Sequence, residues 1–387
     1  MKITGDWINS EATQAVCRML TDTGHQALFV GGCVRNPLLG APVKDIDIAT
    51  DARPDAVMTL AKTAGLKAIP TGMDHGTVTV VSGNAPYEIT TFRNDVETFG
   101  RHAVVAFADD VIEDARRRDF TMNALYAQPD GTVIDPLGGL ADLHARRFRF
   151  IEDAAQRIQE DYLRTLRFFR FNAWYGDPSA GLDDEALAAI AAHLDGLSTL
   201  SRERVGSEML KLLSAPDPCF AVAAMRQCGV LHAVLPGADD RALGPLVHLE
   251  GEMGIEPVAL RRLSVLGGDT VPKRLRLSRT DAKSLDQLQQ MTGDMMSALE
   301  LGYRHGAILA LDVLLVRAAV MGGVVDKAAL VQVERGSGAE FPLKAADLQH
   351  AFQGPALGRA LKEAEQHWLD ADLSPDRNAL LRHVDKP

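Results

Sequence analysis

Lys44-Asp45-Ile46-Asp47-Ile48-Ala49 is the stretch on which the reading of this chain turns. Polar and apolar residues alternate along it, as they do along a half-buried β-strand. On a strand, residues i and i+2 point to the same face, so Asp45 and Asp47 are set side by side. Two such carboxylates repel each other unless they share a cation. A carboxylate-rich, oxygen-only site suits Mg²⁺, which also takes oxygens from substrate phosphates. A solvent-facing strand edge is the simpler alternative for an isolated pair, so the surrounding residues have to separate the two.

Upstream, Ala27-Leu28-Phe29-Val30 is a short apolar run that reads as a buried strand and stops at Gly31-Gly32. Glycines there let backbone N–H groups approach a phosphate without a Cβ in the way, and a helix start beyond them favours anions. Arg35 adds a charge-assisted contact to such a group. The G-K-[ST] ending of a P-loop is missing. Further out, residues 7–21 read as an amphipathic helix and residues 34–39 as the start of another. Residues 77–81 and 87–92 read as two strands with a turn at 82–86, and residues 132–134 as a last short strand. Past about residue 150 helical periodicity takes over, so the expected fold is a small mixed α/β head followed by an all-α remainder. The most apolar stretch, residues 306–325, contains Asp312 and Arg317 and reads as a buried helix rather than a membrane span. Gly336-Ser337-Gly338 is the best candidate for a local loop in the C-terminal part.

A chain of 387 residues implies two to four compact units. Its net charge of −11 excludes a protein that coats nucleic acid by bulk electrostatics. RNA binding would need local positive charge, and arginines do cluster at Arg116, Arg117 and Arg118 and again from Arg146 to Arg170. The four cysteines form no C-x-x-C pair and no disulfide framework. Together with an N-terminus that lacks an apolar signal core, this points to the cytoplasm.

The order of motifs carries more than any one of them. Gly31-Gly32-Cys33-Val34-Arg35 is followed by Lys44-Asp45-Ile46-Asp47-Ile48-Ala49-Thr50, Gly72-Met73-Asp74-His75-Gly76-Thr77 and Glu88-Ile89-Thr90-Thr91-Phe92-Arg93. Next come Arg117-Arg118-Asp119-Phe120-Thr121-Met122-Asn123-Ala124, Asp135-Pro136-Leu137-Gly138-Gly139 and Glu160-Asp161-Tyr162-Leu163-Arg164-Thr165-Leu166-Arg167-Phe168-Phe169-Arg170-Phe171. This series resembles the class II tRNA CCA-adding enzyme and bacterial poly(A) polymerase family over residues 28–172. The chain departs from the family pattern at Asn36, where Asp is usual, and at Tyr162, where Pro is frequent.

The resemblance implies attack of a tRNA 3′-hydroxyl on the α-phosphate of CTP or ATP, with pyrophosphate leaving and no nucleic-acid template. It implies two Mg²⁺ ions held by Asp45 and Asp47, with Glu88 either a third carboxylate or an edge-strand charge. Gly32, Arg35 and Arg118 would meet the nucleotide. Asp119 would contact the ribose, brace Arg118 or cap the segment beginning at Phe120. Asp161 and Arg164, three residues apart on an expected helix, offer an acceptor and a donor. That pair matches the amino group and ring nitrogen of cytosine and adenine and mismatches guanine and uracil. Glu160 would orient Arg164. Arg167 would reach base or phosphate, and Arg170 is either nucleotide-binding or structural. Residues 94–108, aperiodic in pattern, would form a flexible loop. The implied organisation is a catalytic head over 1–147, a helical neck with the base-selecting helix over 148–205, a helical body over 206–300 and a tRNA-binding tail over 301–387, in an elongated chain. No membrane and no obligate protein partner are implied. A poly(A) polymerase of the same chemistry and an inactive RNA-binding relative are the rival expectations.

Overall fold

The computed structural model describes residues 1–99 and 102–384. They divide into two compact units, one of residues 1–238 with 269–276 and the other of residues 239–268 with 277–387.

In the first unit the head is built on a seven-stranded sheet. Its strands are β1 (Leu28–Val30), β2 (Asp47–Thr50), β3 (Lys67–Gly72), β4 (Thr77–Ser82), β5 (Ala85–Thr91), β8 (Tyr126–Ala127) and β9 (Val133–Ile134), in the order β3-β4-β5-β2-β1-β8-β9. Only β2 and β5 run parallel, with Asp47 opposite Glu88 and Ile48 opposite Ile89. The alternation in β4 is visible as burial, with Val78 and Val80 turned into the core. Helices Glu11–Thr21 and Pro54–Thr63 pack beside β4. The helix expected over 7–21 is divided at Ser10, whose hydroxyl oxygen accepts from Thr13 N and starts the longer piece.

The described residues of the 94–108 segment form no open loop. Strands β6 (Arg93–Phe99) and β7 (His102–Phe107) pair antiparallel, and Gly100 and Arg101 lie outside the described residues.

Beyond Ile134 no further strand occurs among the described residues. A phenylalanine cluster joins the head to the helix Leu163–Tyr175. Phe120 lies 5.6 Å from Phe171, Phe148 5.4 Å from Phe171, and Phe150 5.8 Å from Phe168. Each pair adds about 1 kcal/mol beyond simple burial. Together they hold the residues flanking Asp119 against the helix that carries Arg167.

The second unit is helical. Its long helix Ala298–Met321 kinks at Gly306 and takes in the apolar stretch only from there to Met321, leaving residues 322–325 outside the helix, and no described helix is long and apolar enough to cross a membrane. The loop expected at Gly336-Ser337-Gly338 begins only at its last residue, because the helix Lys327–Ser337 runs through the first two. A buried Arg261–Glu250–Arg262 cluster, with Asp312 against Arg261, ties three helices of this unit together.

Candidate active site

The antiparallel register of β1 and β2 pairs Phe29 with Ile48, which sets the end of β1 beside the start of β2. The Gly31-Gly32 turn and Asp47 therefore share one edge of the sheet, and the β2–β5 register adds Glu88 to it. Asp45 is exposed and precedes the strand, which begins only at Asp47. Burial pushes the Asp47 carboxyl up to about 6, the charges of Glu88 and Asp45 push the same way, and Arg118 opposes them. A carboxyl so disfavoured in its ionised form is one that a divalent cation would relieve. Among the described residues no three His, Cys, Asp or Glu side chains already form a metal cage. The acidic groups act on one another through space, which fits an ion that completes its shell with substrate phosphate and water.

Gly31 adopts φ 70°, a conformation open to glycine, and caps the helix Gly32–Leu38. A Cβ at Gly31 would lie 3.8 Å from Arg118 Nη1, and one at Gly32 would lie 4.0 Å from Arg35 Nη2. Arg118 is thus the cation at the turn. Its guanidinium pairs with Asp114 at 2.9 Å and donates to the Tyr126 hydroxyl at 3.0 Å. Burial works against its charge, but Tyr126 and Asp114 hold it firmly protonated. Arg35 is turned inward. It is buried, donates to Asn123 Oδ1 and Asn36 Oδ1, and lies 4.3 Å from the Tyr175 ring centre. In this structure it links the glycine turn to the Leu163–Tyr175 helix.

Asp119 is buried and makes four contacts. Its Oδ1 accepts from Phe120 N and from Asn123 Nδ2, both at 2.9 Å. Its Oδ2 accepts from Arg167 Nε at 2.7 Å and from Arg167 Nη2 at 2.6 Å. Asp119 therefore braces Arg167, while Arg118 is braced by Asp114. Burial alone would raise the Asp119 carboxyl, but Arg167, Asn123 and Arg164 draw it down to about 2.

The helix expected through Glu160 and Phe171 is interrupted. Helix Ala154–Glu160 ends at Glu160, Asp161 is extended (φ −152°, ψ 103°), and the next helix starts at Leu163. Asp161 and Arg164 are consequently not neighbours on one continuous helix. The Asp161 carboxylate accepts from Leu163 N at 3.1 Å and pairs with Arg204 at 2.6 Å. Arg164 pairs with Glu160 at 2.6 Å, so Glu160 does orient it. Arg170 pairs with Glu208 at 2.5 Å and lies 4.0 Å from the Phe171 ring centre.

Sequence reasoning missed Asp114, Tyr126 and Asn123. The spacing of Asp114 to Arg117 and Arg118 was a readable signal for the first. Nothing local signals Asn123, which bridges Asp119 to Arg35.

An edge carrying Asp47 and Glu88 beside a glycine turn, with an arginine-lined helical segment behind it, is the arrangement that a nucleotidyltransferase head requires. A model of the poly A polymerase head domain matches residues 27–149, and one described as the probable RNA and SrmB- binding site of polymerase A matches residues 181–241. Residues 27–149 thus carry the poly A polymerase head domain, and the chain is similar to CCA-adding enzymes over rather more than half of its length. It is 41% identical over 228 residues to the CCA-adding enzyme of Geobacillus thermodenitrificans, covering 58% of this chain and 54% of that one. It is likewise 41% identical over 205 residues to human mitochondrial CCA tRNA nucleotidyltransferase 1, covering 53% of this chain and 47% of the relative. The matched region thus spans about half the length of these curated relatives. The structure superposes on that of the Bacillus stearothermophilus CCA-adding enzyme in complex with CTP with a TM-score of 0.73 at 27% identity, covering 97% of this chain and 96% of the other.

Proposed function

We propose that this protein adds C, C and A to the 3′ end of tRNA from CTP and ATP, releasing pyrophosphate without a nucleic-acid template. The observation that carries the reading is the acidic edge at Asp47, disfavoured in its ionised form and faced by Arg118 beside a glycine turn. Asp45 and Asp47, with Glu88 as a third carboxylate, would hold two Mg²⁺ ions. When bound, such ions lower the pKa of the attacking 3′-hydroxyl and neutralise charge on the departing pyrophosphate.

The chain's own groups do the rest. The backbone at Gly32 leaves room for the triphosphate, and Arg118 supplies a fixed cation whose position Asp114 maintains. Arg35 acts behind the turn, keeping it in register with the Leu163–Tyr175 helix. Asp161 accepts from the exocyclic amino group of cytosine or adenine and Arg164 donates to the neighbouring ring nitrogen. With guanine or uracil both would face a group of their own kind and stay unpaired, which is how a polar site rejects an analogue. Asp119 and Arg167 line the site as a pair, and Arg170 with Glu208 supports the helix. The residues from 301 on would contact tRNA. Four free cysteines fit a reducing cytoplasm.

The test is direct. The protein is given Mg²⁺ and a tRNA lacking its terminal CCA, with CTP, ATP, GTP and UTP singly and together. Ordered addition of C, C and A is expected. A long A tract would assign it to the polymerases, and no extension would remove the proposal. Asp161→Ala is expected to let UTP and GTP in while leaving the Mg²⁺ requirement unchanged; intact discrimination in that variant would sink the base-selection part.

A further inference from the structure

We propose that Arg157 is a positioning residue for base choice, acting on Arg164 through the Glu160 carboxylate that the two guanidiniums share. This rests on the reading of Arg164 as a base-selecting residue. Glu160 Oε1 lies 2.6 Å from Arg157 Nη2, and its Oε2 lies 2.6 Å from Arg164 Nη1. Both arginines are then tied to backbone. Arg157 Nη1 donates to the Arg116 carbonyl at 3.0 Å, and Arg164 Nη2 donates to the Arg117 carbonyl at 2.9 Å. Arg164 Nη1 also donates to the carbonyl of Arg157 itself at 3.0 Å. One carboxylate is therefore clamped between two cations, each hung from one of two successive carbonyls at the end of helix Val111–Arg116.

The physical consequence concerns orientation. An arginine fork reads a base edge only if its plane is fixed. Glu160 closes helix Ala154–Glu160 and has three rotatable side-chain bonds, so a partner on Oε2 alone leaves it several rotamers. On Oε1 the exposed Gln156 Nε2 donates only at 3.3 Å, whereas the second guanidinium at 2.6 Å removes that freedom, and the remaining donors of Arg164 are held in one direction. The clamp lies outside the acidic edge, so its loss does not touch the chemistry of transfer.

A merely structural tie would lower the amount of active protein equally for every nucleotide. A positioning residue changes the ratio between nucleotides. CTP and UTP isolate the effect, because they differ only in the edge that Arg164 would read. The experiment measures kcat/KM for both on a tRNA lacking its CCA end, with Mg²⁺ and the full chain, for Arg157→Met, Arg157→Lys and Arg164→Ala. Arg157→Met is expected to lower the CTP-to-UTP ratio about tenfold, the effect of one charge-assisted bond in a closed site. Arg157→Lys keeps the charge without the fork and is expected to recover part of it. The ratio comes from one preparation, so a misfolded fraction cancels, and the lysine variant serves if the methionine variant does not fold. If both Arg157 variants stay within about twofold of the parent ratio while Arg164→Ala collapses it, the positioning role is wrong and the base-selection reading stands. If Arg164→Ala leaves the ratio unchanged, the reading beneath the inference fails.

Discussion

Asp47→Asn should make the metal-free protein more stable at neutral pH, although it should abolish nucleotide transfer. The carboxyl is pushed up to about 6 by burial and then by Glu88. The sign follows from proton counting. Below about pH 4 the group is protonated in the folded and unfolded chain alike, and parent and variant should match. Between about pH 4 and 6 the unfolded chain releases its proton while the fold retains it, so the stability of the parent falls as pH rises. Above about pH 6 the penalty is constant, at roughly 3 kcal/mol if the full shift is taken. Partial solvent access and local relaxation reduce the expected gain of the asparagine variant to about 1–2 kcal/mol, or about 3–6 °C in melting temperature. Thermal unfolding by circular dichroism with chelator present, at pH 4, 5, 6 and 7.5, tests this. Titrating Mg²⁺ at pH 7.5 should then raise the melting temperature of the parent and not of the variant, because only an ion bound to the folded form stabilises it. A variant that is less stable than the parent at pH 7.5, or a difference independent of pH, would refute the picture of a strained acidic edge.

Asp114→Ala removes the partner of Arg117, Arg118 and the Tyr126 hydroxyl at once. Burial opposes the charge of Asp114, yet the two arginines hold its carboxyl well below the usual carboxylate range. The variant should lose about 3–5 kcal/mol, measured by urea unfolding, and a loss under about 1 kcal/mol would contradict the burial of this cluster. Gly139→Ala would place a Cβ 2.3 Å from the Thr121 carbonyl oxygen. Backbone has to move to admit it, so a destabilisation of about 2–3 kcal/mol is expected by the same assay, and a neutral substitution would show the contact to be looser than described.

Much of the head was legible along the chain. The strands Leu28–Val30, Thr77–Ser82 and Val133–Ile134 lie where alternation or short apolar runs put them. The helix Pro54–Thr63, strand Lys67–Gly72 and the paired strands Arg93–Phe99 and His102–Phe107 went unread. In Lys67–Gly72 four of six residues are exposed, so no apolar period marks it, and its pairing with β4 supplies what its own sequence does not. The break at Asp161 was hidden for a related reason. Residues on both sides have helical spacing, but the Asp161 carboxylate takes Leu163 N and Arg204, and that combination draws the backbone out of the helix.

Covalent spacing alone set what depends on residues within about one helical turn: the pairs of Asp114 with Arg117 and Arg118, and the tie of Arg157 to Glu160. Those distances follow from rise per residue and need no partner segment. Packing set the rest. Asp119 finds Arg167 across 48 residues, Asp161 finds Arg204 across 43, and Arg170 finds Glu208 across 38. Many arginines compete for each of these carboxylates. Which one each receives depends on how the phenylalanine cluster seats the Leu163–Tyr175 helix against the head, since a buried charge tolerates only the partner that geometry brings within reach.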